Sequence, residues 1–237
     1  MAKLHTIAFD GDDTLWHHET FYRYTHERFR ELILSHVPDA DVDGRLHATE
    51  MRNLELFGYG VKSFTLSMIE TAIEITSGAI PAEGVAELIG WGKEMLAHPI
   101  ELLDGVAATI DGLHGHYRLM LVTKGDLMDQ ESKIARSGLA ERFAHIEIVS
   151  EKDVATYRRL LDRHGLAAEG FLMVGNSVRS DVLPVIEAGG RAVHVPYAVT
   201  WAHEAIDAAP CAERSFELKS IADLPALISR IEAGGAA

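Results

Sequence analysis

The chain has little cysteine and a shortage of positive charge. Its 237 residues include one cysteine, Cys211, so no disulfide can form within the chain and we expect a reducing compartment. The 22 Lys and Arg residues stand against 36 Asp and Glu residues, which gives a formal net charge of −14. Binding to nucleic acid or to anionic lipid needs clustered positive charge. We therefore expect no nucleic acid and no membrane as a partner.

Long apolar runs are also missing. No segment approaches the roughly 20 apolar residues that a membrane-spanning helix requires, and the first ten residues lack the apolar core of a signal peptide. Hydrophobic residues make up 47% and charged residues 24% of the chain, as is usual for a folded globular protein. The composition therefore predicts a cytoplasmic protein of one or two domains. It does not decide between a monomer and a homodimer.

The hydrophobic pattern changes twice along the chain. A short apolar strand at residues 4–10 precedes a stretch whose apolar residues recur at helical spacing. After Pro99, short apolar runs alternate with amphipathic segments, which is typical of a parallel sheet covered by helices. Further strands are predicted at 118–123, 145–150, 171–175 and 191–195, and helices at 105–114, 126–137, 153–164, 180–188 and 221–231.

These patterns predict an α/β protein, a doubly wound parallel sheet of Rossmann-like form with an inserted α-helical domain. The sheet domain is expected at residues 1–17 and 98–237, and the helical domain at residues 18–97. Because ligands of open α/β sheets bind beyond the carboxyl ends of the strands, the functional site is expected at that edge.

Polar side chains follow four of the predicted strands at the point where each strand ends. They comprise carboxylates, a hydroxyl, an ammonium and an amide, namely Asp10, Asp12, Thr14, Thr123, Lys124, Asp126, Glu151, Lys152, Asp153, Asn176 and Asp181. Two carboxylates two positions apart, Asp10 and Asp12, can turn toward one site because Gly11 lies between them. Hard oxygen ligands of this kind suit Mg²⁺.

Four of these segments, in this order, resemble the motifs of the haloacid dehalogenase (HAD) superfamily of hydrolases. Residues 10–15, Asp-Gly-Asp-Asp-Thr-Leu, match the first motif, Asp-x-Asp-x-Thr. Thr123 matches the second motif and Lys152 matches the third. Residues 175–181, Gly-Asn-Ser-Val-Arg-Ser-Asp, match the fourth motif, Gly-Asp-x4-Asp, with Asn176 in its first acidic position. The predicted helical insertion lies where this superfamily places its C1-type cap.

The resemblance implies a phosphatase with an aspartyl-phosphate intermediate. Asp10 would attack phosphorus, and Asp12 would protonate the leaving group and then deprotonate the attacking water. Thr123 would hydrogen-bond the phosphoryl group, and Lys152 would neutralise charge. The residues implied to contact substrate are Gly11, Thr123, Lys124 and Gly125. The implied Mg²⁺ would be held by Asp10, the carbonyl oxygen of Asp12, Asn176 and Asp181.

Three positions depart from the family pattern. Asp13 stands where glycine is common, so an exchange of roles between Asp12 and Asp13 is conceivable, although the spacing favours Asp12. Lys124 stands where asparagine is usual, and it either adds positive charge near the phosphate or points into solvent. Asn176 offers a neutral oxygen where the family has an acid, which predicts weaker binding of Mg²⁺.

Other functions stay open. A dehalogenase of the same fold uses the nucleophilic Asp and needs no second acid, and a phosphonate hydrolase would use a lysine of the helical domain, where only Lys62 and Lys93 occur. A non-catalytic phosphate-sensing module of the receiver type would need neither Asp12 nor the insertion. The insertion is acidic, with 13 acidic and 7 basic residues from Glu19 to His98, which favours a small phosphorylated metabolite. The histidine pair 17–18 is expected to be solvated.

Overall fold

The structure, a computed structural model, describes residues 3–198 and 213–233, and Cys211 lies outside these ranges. The chain divides into two compact units. The α/β unit comprises residues 1–19, 100–124 and 133–237, and the helical unit comprises residues 20–99 and 125–132. The expected domain boundaries, and the role of the helical domain as a cap, stay predictions.

Six strands form one parallel sheet in the α/β unit, in the order β3-β2-β1-β4-β5-β6. The strands are β1 (Thr6–Phe9), β2 (Arg118–Lys124), β3 (His145–Val149), β4 (Phe171–Gly175), β5 (Arg191–His194) and β6 (Ser215–Glu217). The α/β class and the parallel sheet predicted from the sequence are confirmed. The edge strand β6 was not predicted, because three residues are too few to show an alternating pattern.

Nine α-helices occur among the described residues. They are α1 (Glu19–His36), α2 (Val42–Phe57), α3 (Val61–Ile75), α4 (Ala82–Ala97), α5 (Val106–Leu113), α6 (Leu127–Arg136), α7 (Val154–His164), α8 (Leu183–Glu187) and α9 (Leu224–Glu232). None of these helices is long and apolar enough to cross a membrane.

The central strands are buried on both faces, and successive residues point to opposite sides. In β2, Leu119 and Leu121 pack into one core with residues of α5 and α9. Met120 and Val122 pack into a second core with residues of α7 and α8. This alternation follows from the two-residue period of a strand. Because helices cover both faces of the sheet, successive buried residues of these strands are apolar and form continuous apolar runs.

The helical unit has a core of its own. Phe29, Met68 and Trp91 belong to one buried cluster that draws on α1, α2, α3 and α4. The second helix begins at an Asp41 cap, whose side chain accepts a hydrogen bond from Gly44 N. A capping carboxylate satisfies one of the free N–H groups at a helix start.

Glu50 of α2 generates a testable pH dependence of stability. Burial raises the pKa of its carboxyl group to about 7, from an ordinary value of 4.5. The protonated form is therefore favoured in the fold, and its stabilisation is complete below pH 4.5 and is lost as the pH rises through 7. Glu50→Gln is neutral at every pH, so its free energy of unfolding should exceed that of wild type by about 1–3 kcal/mol at pH 8.

Chemical denaturation between pH 5 and pH 8 measures this difference, which should shrink steadily toward the acidic end. Glu55→Gln is the matched control, because Glu55 lies in the same helix with an exposed side chain. Parallel pH profiles for wild type and Glu50→Gln would contradict the prediction.

Candidate functional site

Asp10 lies directly after β1, in a loop whose main chain is fixed by the sheet. Its N–H donates to Val174 O of the neighbouring β4 at 2.9 Å. The carbonyl oxygen of Gly11 accepts from Leu15 N at 2.8 Å and from Thr14 N at 3.3 Å, which closes a tight turn. The main chain therefore presents Asp10 and Asp12 from one rigid loop at the carboxyl end of the sheet.

Gly11 is required by the space around it. A Cβ atom at this position would lie 2.8 Å from Cζ2 of Trp16 and 3.4 Å from Oγ1 of Thr123. The distance to Trp16 is shorter than a Cβ atom tolerates, and Trp16 cannot move easily because it is fully buried. Glycine thus lets Trp16 pack beneath the loop and leaves Thr123, itself buried, facing Gly11.

Lys152 lies between two carboxylates. Its Nζ donates to Asp10 Oδ1 at 2.5 Å and to Asp181 Oδ1 at 2.7 Å, and its side chain is 2% exposed. Burial by itself would lower the pKa of Lys152, but the charges of Asp10 and Asp181 raise it above its ordinary value. Lys152 is therefore a fixed cation that holds both carboxylates.

The surroundings of Asp10 have opposing effects on the pKa of its carboxyl group. Burial raises the pKa of its carboxyl group to about 7, the Lys152 ammonium opposes that rise, and the Asp181 charge adds to it. Its second oxygen, Oδ2, accepts from Thr14 Oγ1 at 3.1 Å. The same hydroxyl lies 3.3 Å from Oδ1 of Asn176. Asp10, Asn176 and Asp181 thus meet around two donors, Lys152 and Thr14.

Asp181 is positioned by the loop after β4. Its Oδ2 accepts from Ser177 N at 3.1 Å, and a Cβ at Gly175 would lie 2.2 Å from its carboxyl carbon. The helix predicted at 180–188 begins instead with a π-helical turn, Val178–Val182, before α8. Such turns are frequent at functional sites. Here the turn contains Asp181, the partner of Lys152.

Asp12 is held by a separate set of donors. Trp16 Nε1 donates to Asp12 Oδ1 at 2.6 Å. Lys133 Nζ donates to Oδ1 at 3.1 Å and to Oδ2 at 3.0 Å. His18 Nε2 lies 3.4 Å from Oδ2. The two carboxylates of the Asp-x-Asp pair therefore have different environments, as distinct chemical roles require.

The expectation that the histidine pair is solvated is wrong for His18, whose side chain is 18% exposed. Burial lowers the pKa of His18 to about 4, although Asp12 opposes this, so the imidazole is neutral at neutral pH. Lys133 Nζ lies 3.2 Å from His18 Nδ1. Because an ammonium can only donate, Nδ1 accepts, and we assign the ring proton to Nε2, which faces Asp12.

Asp13 has a structural role. Its Oδ1 accepts from His18 N at 2.9 Å and from Glu19 N at 3.1 Å, which caps the start of α1. Its φ of 59° is in the left-handed region that glycine adopts freely, and Asp tolerates this region better than most residues. This conformation accounts for Asp13 where the family commonly has glycine. The Asp13 carboxylate is thus engaged in the cap, and burial raises its pKa to about 7.

Lys124 and Gly125 end β2 and begin the next loop. Lys124 Nζ donates to Ser180 Oγ at 3.0 Å and lies 3.6 Å from Glu151 Oε1. Its side chain is 16% exposed, so the ammonium does not simply point into solvent. Gly125, with a φ of 144°, is the first residue of a segment that belongs to the helical unit. The structure therefore groups Lys124 with the loop that carries Asp181.

The donors around Asp12 were missed by the sequence analysis. A signal was available, because Trp16 and His18 follow Asp12 at short range and Lys133 lies in the helix after the second motif. A sequence does not show which side chains pair across such a distance.

The oxygen donors of the site fit Mg²⁺ in chemical type. No group of three His, Cys, Asp or Glu residues suited to a metal occurs within the described ranges. Asp10 and Asp181 supply carboxylates, however, and Asn176 supplies an amide oxygen beside the same Thr14 hydroxyl as Asp10. Magnesium accepts such a set, since it binds few protein carboxylates and retains several waters.

Comparison with known proteins agrees with this architecture. A solved haloacid dehalogenase-like family hydrolase from Xanthomonas campestris is 41% identical, with a TM-score of 0.87, over 98% of this chain and 93% of that chain. A 2-haloacid dehalogenase from Pseudomonas syringae pv. Tomato is 19% identical, with a TM-score of 0.64, over 96% and 99% of the two chains.

A curated relative, the N-acylneuraminate-9-phosphatase of Mus musculus, is 26% identical over 174 residues. The match covers 69% of this chain and 66% of the relative, so the chain spans just under two thirds of that protein's length. The family model of haloacid dehalogenase-like hydrolases matches residues 4–189. With the loop of Asp10, the buried Lys152 and the parallel sheet in place, this match shows that the chain belongs to the haloacid dehalogenase-like hydrolases.

Proposed function

We propose that this hydrolase is a Mg²⁺-dependent phosphatase that acts on a small phosphorylated metabolite of the cytoplasm through an aspartyl-phosphate. One observation carries the proposal: two carboxylates of one loop have separate partners. Asp10 is held by the buried Lys152, and Asp12 is held by Trp16 and Lys133. A phosphatase needs one carboxylate as nucleophile and a second as acid and base. The distant phosphatase relative supports the same activity.

In the first step an oxygen of Asp10 attacks phosphorus. A bond forms between Asp10 and phosphorus while the bond from phosphorus to the leaving oxygen breaks, and the leaving oxygen takes a proton from Asp12. In the second step water attacks the same phosphorus, Asp12 accepts its proton, and the carboxylate of Asp10 is released with inorganic phosphate. The chain is then ready for another cycle.

The surrounding side chains stabilise the negative charge of the reacting groups during both steps. Lys152 faces the Asp10 oxygen at 2.5 Å, so its ammonium is in place beside the carboxylate that attacks in the first step and is regenerated in the second. Thr123 would donate its hydroxyl to a phosphoryl oxygen. A bound Mg²⁺ would be held by Asp10, the main-chain oxygen of Asp12, Asn176 and Asp181. It would neutralise and orient the phosphoryl oxygens.

The related chemistries have less support. A dehalogenase gains nothing from a second carboxylate that is held as firmly as Asp12. A phosphonate hydrolase needs an uncharged lysine to form a Schiff base, whereas Lys62 Nζ is paired with Asp126 Oδ1 at 2.8 Å within the helical unit, and Lys93 is exposed. A receiver-like module would be phosphorylated once per molecule. Steady release of phosphate from p-nitrophenyl phosphate with Mg²⁺ distinguishes turnover from that single event, and 2-chloropropionate tests dehalogenation.

The first prediction separates Asp10 from Asp12. Asp10→Asn removes the attacking charge, so kcat should fall by about 10³-fold or more with every phosphate ester, while circular dichroism shows an intact fold. Asp12→Asn should cost about 10²–10⁴-fold with an alkyl phosphate, whose leaving group needs a proton, and much less in the pre-steady-state burst with p-nitrophenyl phosphate. Equal losses of Asp12→Asn with both esters would count against Asp12 as the acid.

The second prediction concerns Asn176. Replacing its neutral oxygen by a carboxylate should strengthen Mg²⁺ binding, so Asn176→Asp should lower the Kd by about tenfold, and Asp181→Asn should raise it by a similar factor. Calorimetry with Mg²⁺ and no substrate measures both, which avoids repulsion between the added acid and the phosphate. Glu217→Gln, an exposed change in the same unit, is the control. If neither variant alters the Kd, the fourth motif does not bind the metal.

A further inference from the structure

Lys133 contacts Asp12 and is not part of any motif on which the family resemblance rests. We propose that Lys133 is a positioning residue, which holds the Asp12 carboxylate in the orientation needed for both proton transfers. This inference rests on the proposed function, because it gives Lys133 a role only if Asp12 is the acid and base.

The contacts around Asp12 form a closed arrangement. Lys133 Nζ bridges Oδ1 and Oδ2 of the carboxylate at 3.1 and 3.0 Å. It also lies 3.2 Å from Nδ1 of His18, whose Nε2 is 3.4 Å from Asp12 Oδ2. On the other side, the indole N–H of Trp16 donates to Oδ1 at 2.6 Å. Each oxygen of Asp12 thus has at least two donor atoms within 3.4 Å.

The burial of Lys133 argues against a casual surface ion pair. Its side chain is 7% exposed, and that of Asp12 is 19% exposed. Exposed ion pairs contribute little and leave long side chains free to move. A lysine is rarely buried unless it is paired, because removing an ammonium from water is costly. The cost of burial here is offset by contacts that are specific in direction, which fixes the position of the group they contact.

The side-chain rotation of Asp12 is the part of the loop that Lys133 controls. The main chain is already set by the hydrogen bonds to the Gly11 carbonyl and by the left-handed Asp13. What remains free is the direction of the Asp12 carboxylate, and its donors select one direction. Misplacing a reacting group by about 1 Å can cost about 10²-fold in rate. Lys133 therefore affects the proton transfers without touching the substrate.

A structural role alone would give a different result. If Lys133 only stabilised the fold, its loss would lower the folded fraction, or lower kcat equally for all esters. If it positions Asp12, its loss harms most the ester whose leaving group depends on a proton. The ratio of kcat values for an alkyl phosphate and for p-nitrophenyl phosphate is therefore the informative readout.

The experiment compares four chains in the presence of Mg²⁺: wild type, Lys133→Met, Lys133→Arg and Lys219→Met. Met keeps the length of lysine and removes its charge and donors, and Arg restores a cation. Lys219 is an exposed lysine of the same unit, so its variant is the matched control. We expect Lys133→Met to lower kcat for the alkyl phosphate by about 10–10²-fold, with a smaller loss for p-nitrophenyl phosphate and little change in KM.

Lys133→Arg should recover part of the loss, and Lys219→Met should behave as wild type. Equal losses of Lys133→Met with both esters, or no loss, would overturn the inference. If Lys133→Met does not fold, Lys133→Gln replaces it, since an amide can still donate one hydrogen bond to Asp12. Its ratio of kcat values should shift in the same direction by a smaller factor, and an unchanged ratio would overturn the inference.

The proposed function fails separately from the inference. A wild-type chain that releases no phosphate from any ester contradicts the proposed function and the role of Lys133 together. A wild-type chain that turns over, is impaired by Asp12→Asn and tolerates Lys133→Met contradicts the inference alone.

Discussion

The pairing of one buried ammonium with two carboxylates is the interaction on which the site depends. Lys152 holds Asp10 and Asp181 at 2.5 and 2.7 Å, and removing Lys152 would leave two buried carboxylates without the cation that they share. Breaking such a pair is strongly destabilising. This pairing connects the segment that precedes α7 with the loops that follow β1 and β4. The sheet supplies the rigid edge, and Lys152 fixes the side chains upon it.

The same arrangement separates the two carboxylates of the first motif. Asp10 shares a buried cation with Asp181, whereas Asp12 is surrounded by hydrogen-bond donors from Trp16 and Lys133. Two identical side chains two positions apart can then perform different chemistry, because environment and not residue type sets their roles. Asp13, which is also a carboxylate, caps the start of α1.

Much of the architecture could be predicted because it depends on local patterns. The strands β1, β2 and β4 contain continuous apolar runs, and Asp10, Lys152 and Asp181 follow strand ends whose meeting point is fixed by the parallel topology. The buried His18 could not be predicted, because a histidine beside another histidine carries no sign of burial. Lys133 was hidden for the same reason: a lysine on an amphipathic helix normally faces solvent, and only the tertiary fold shows that it contacts Asp12.

Formation of an aspartyl-phosphate can be observed on Asp10 itself during a single turnover. A reaction with enzyme in excess over a phosphate ester, run with Mg²⁺ in oxygen-18 water and quenched in acid, can be followed by mass spectrometry of the peptide that contains Asp10. We expect a transient phosphoryl group on Asp10, no solvent oxygen in its carboxylate, and solvent oxygen in the released phosphate. An Asp10 that stays unmodified during phosphate release, or that acquires solvent oxygen, would contradict this expectation.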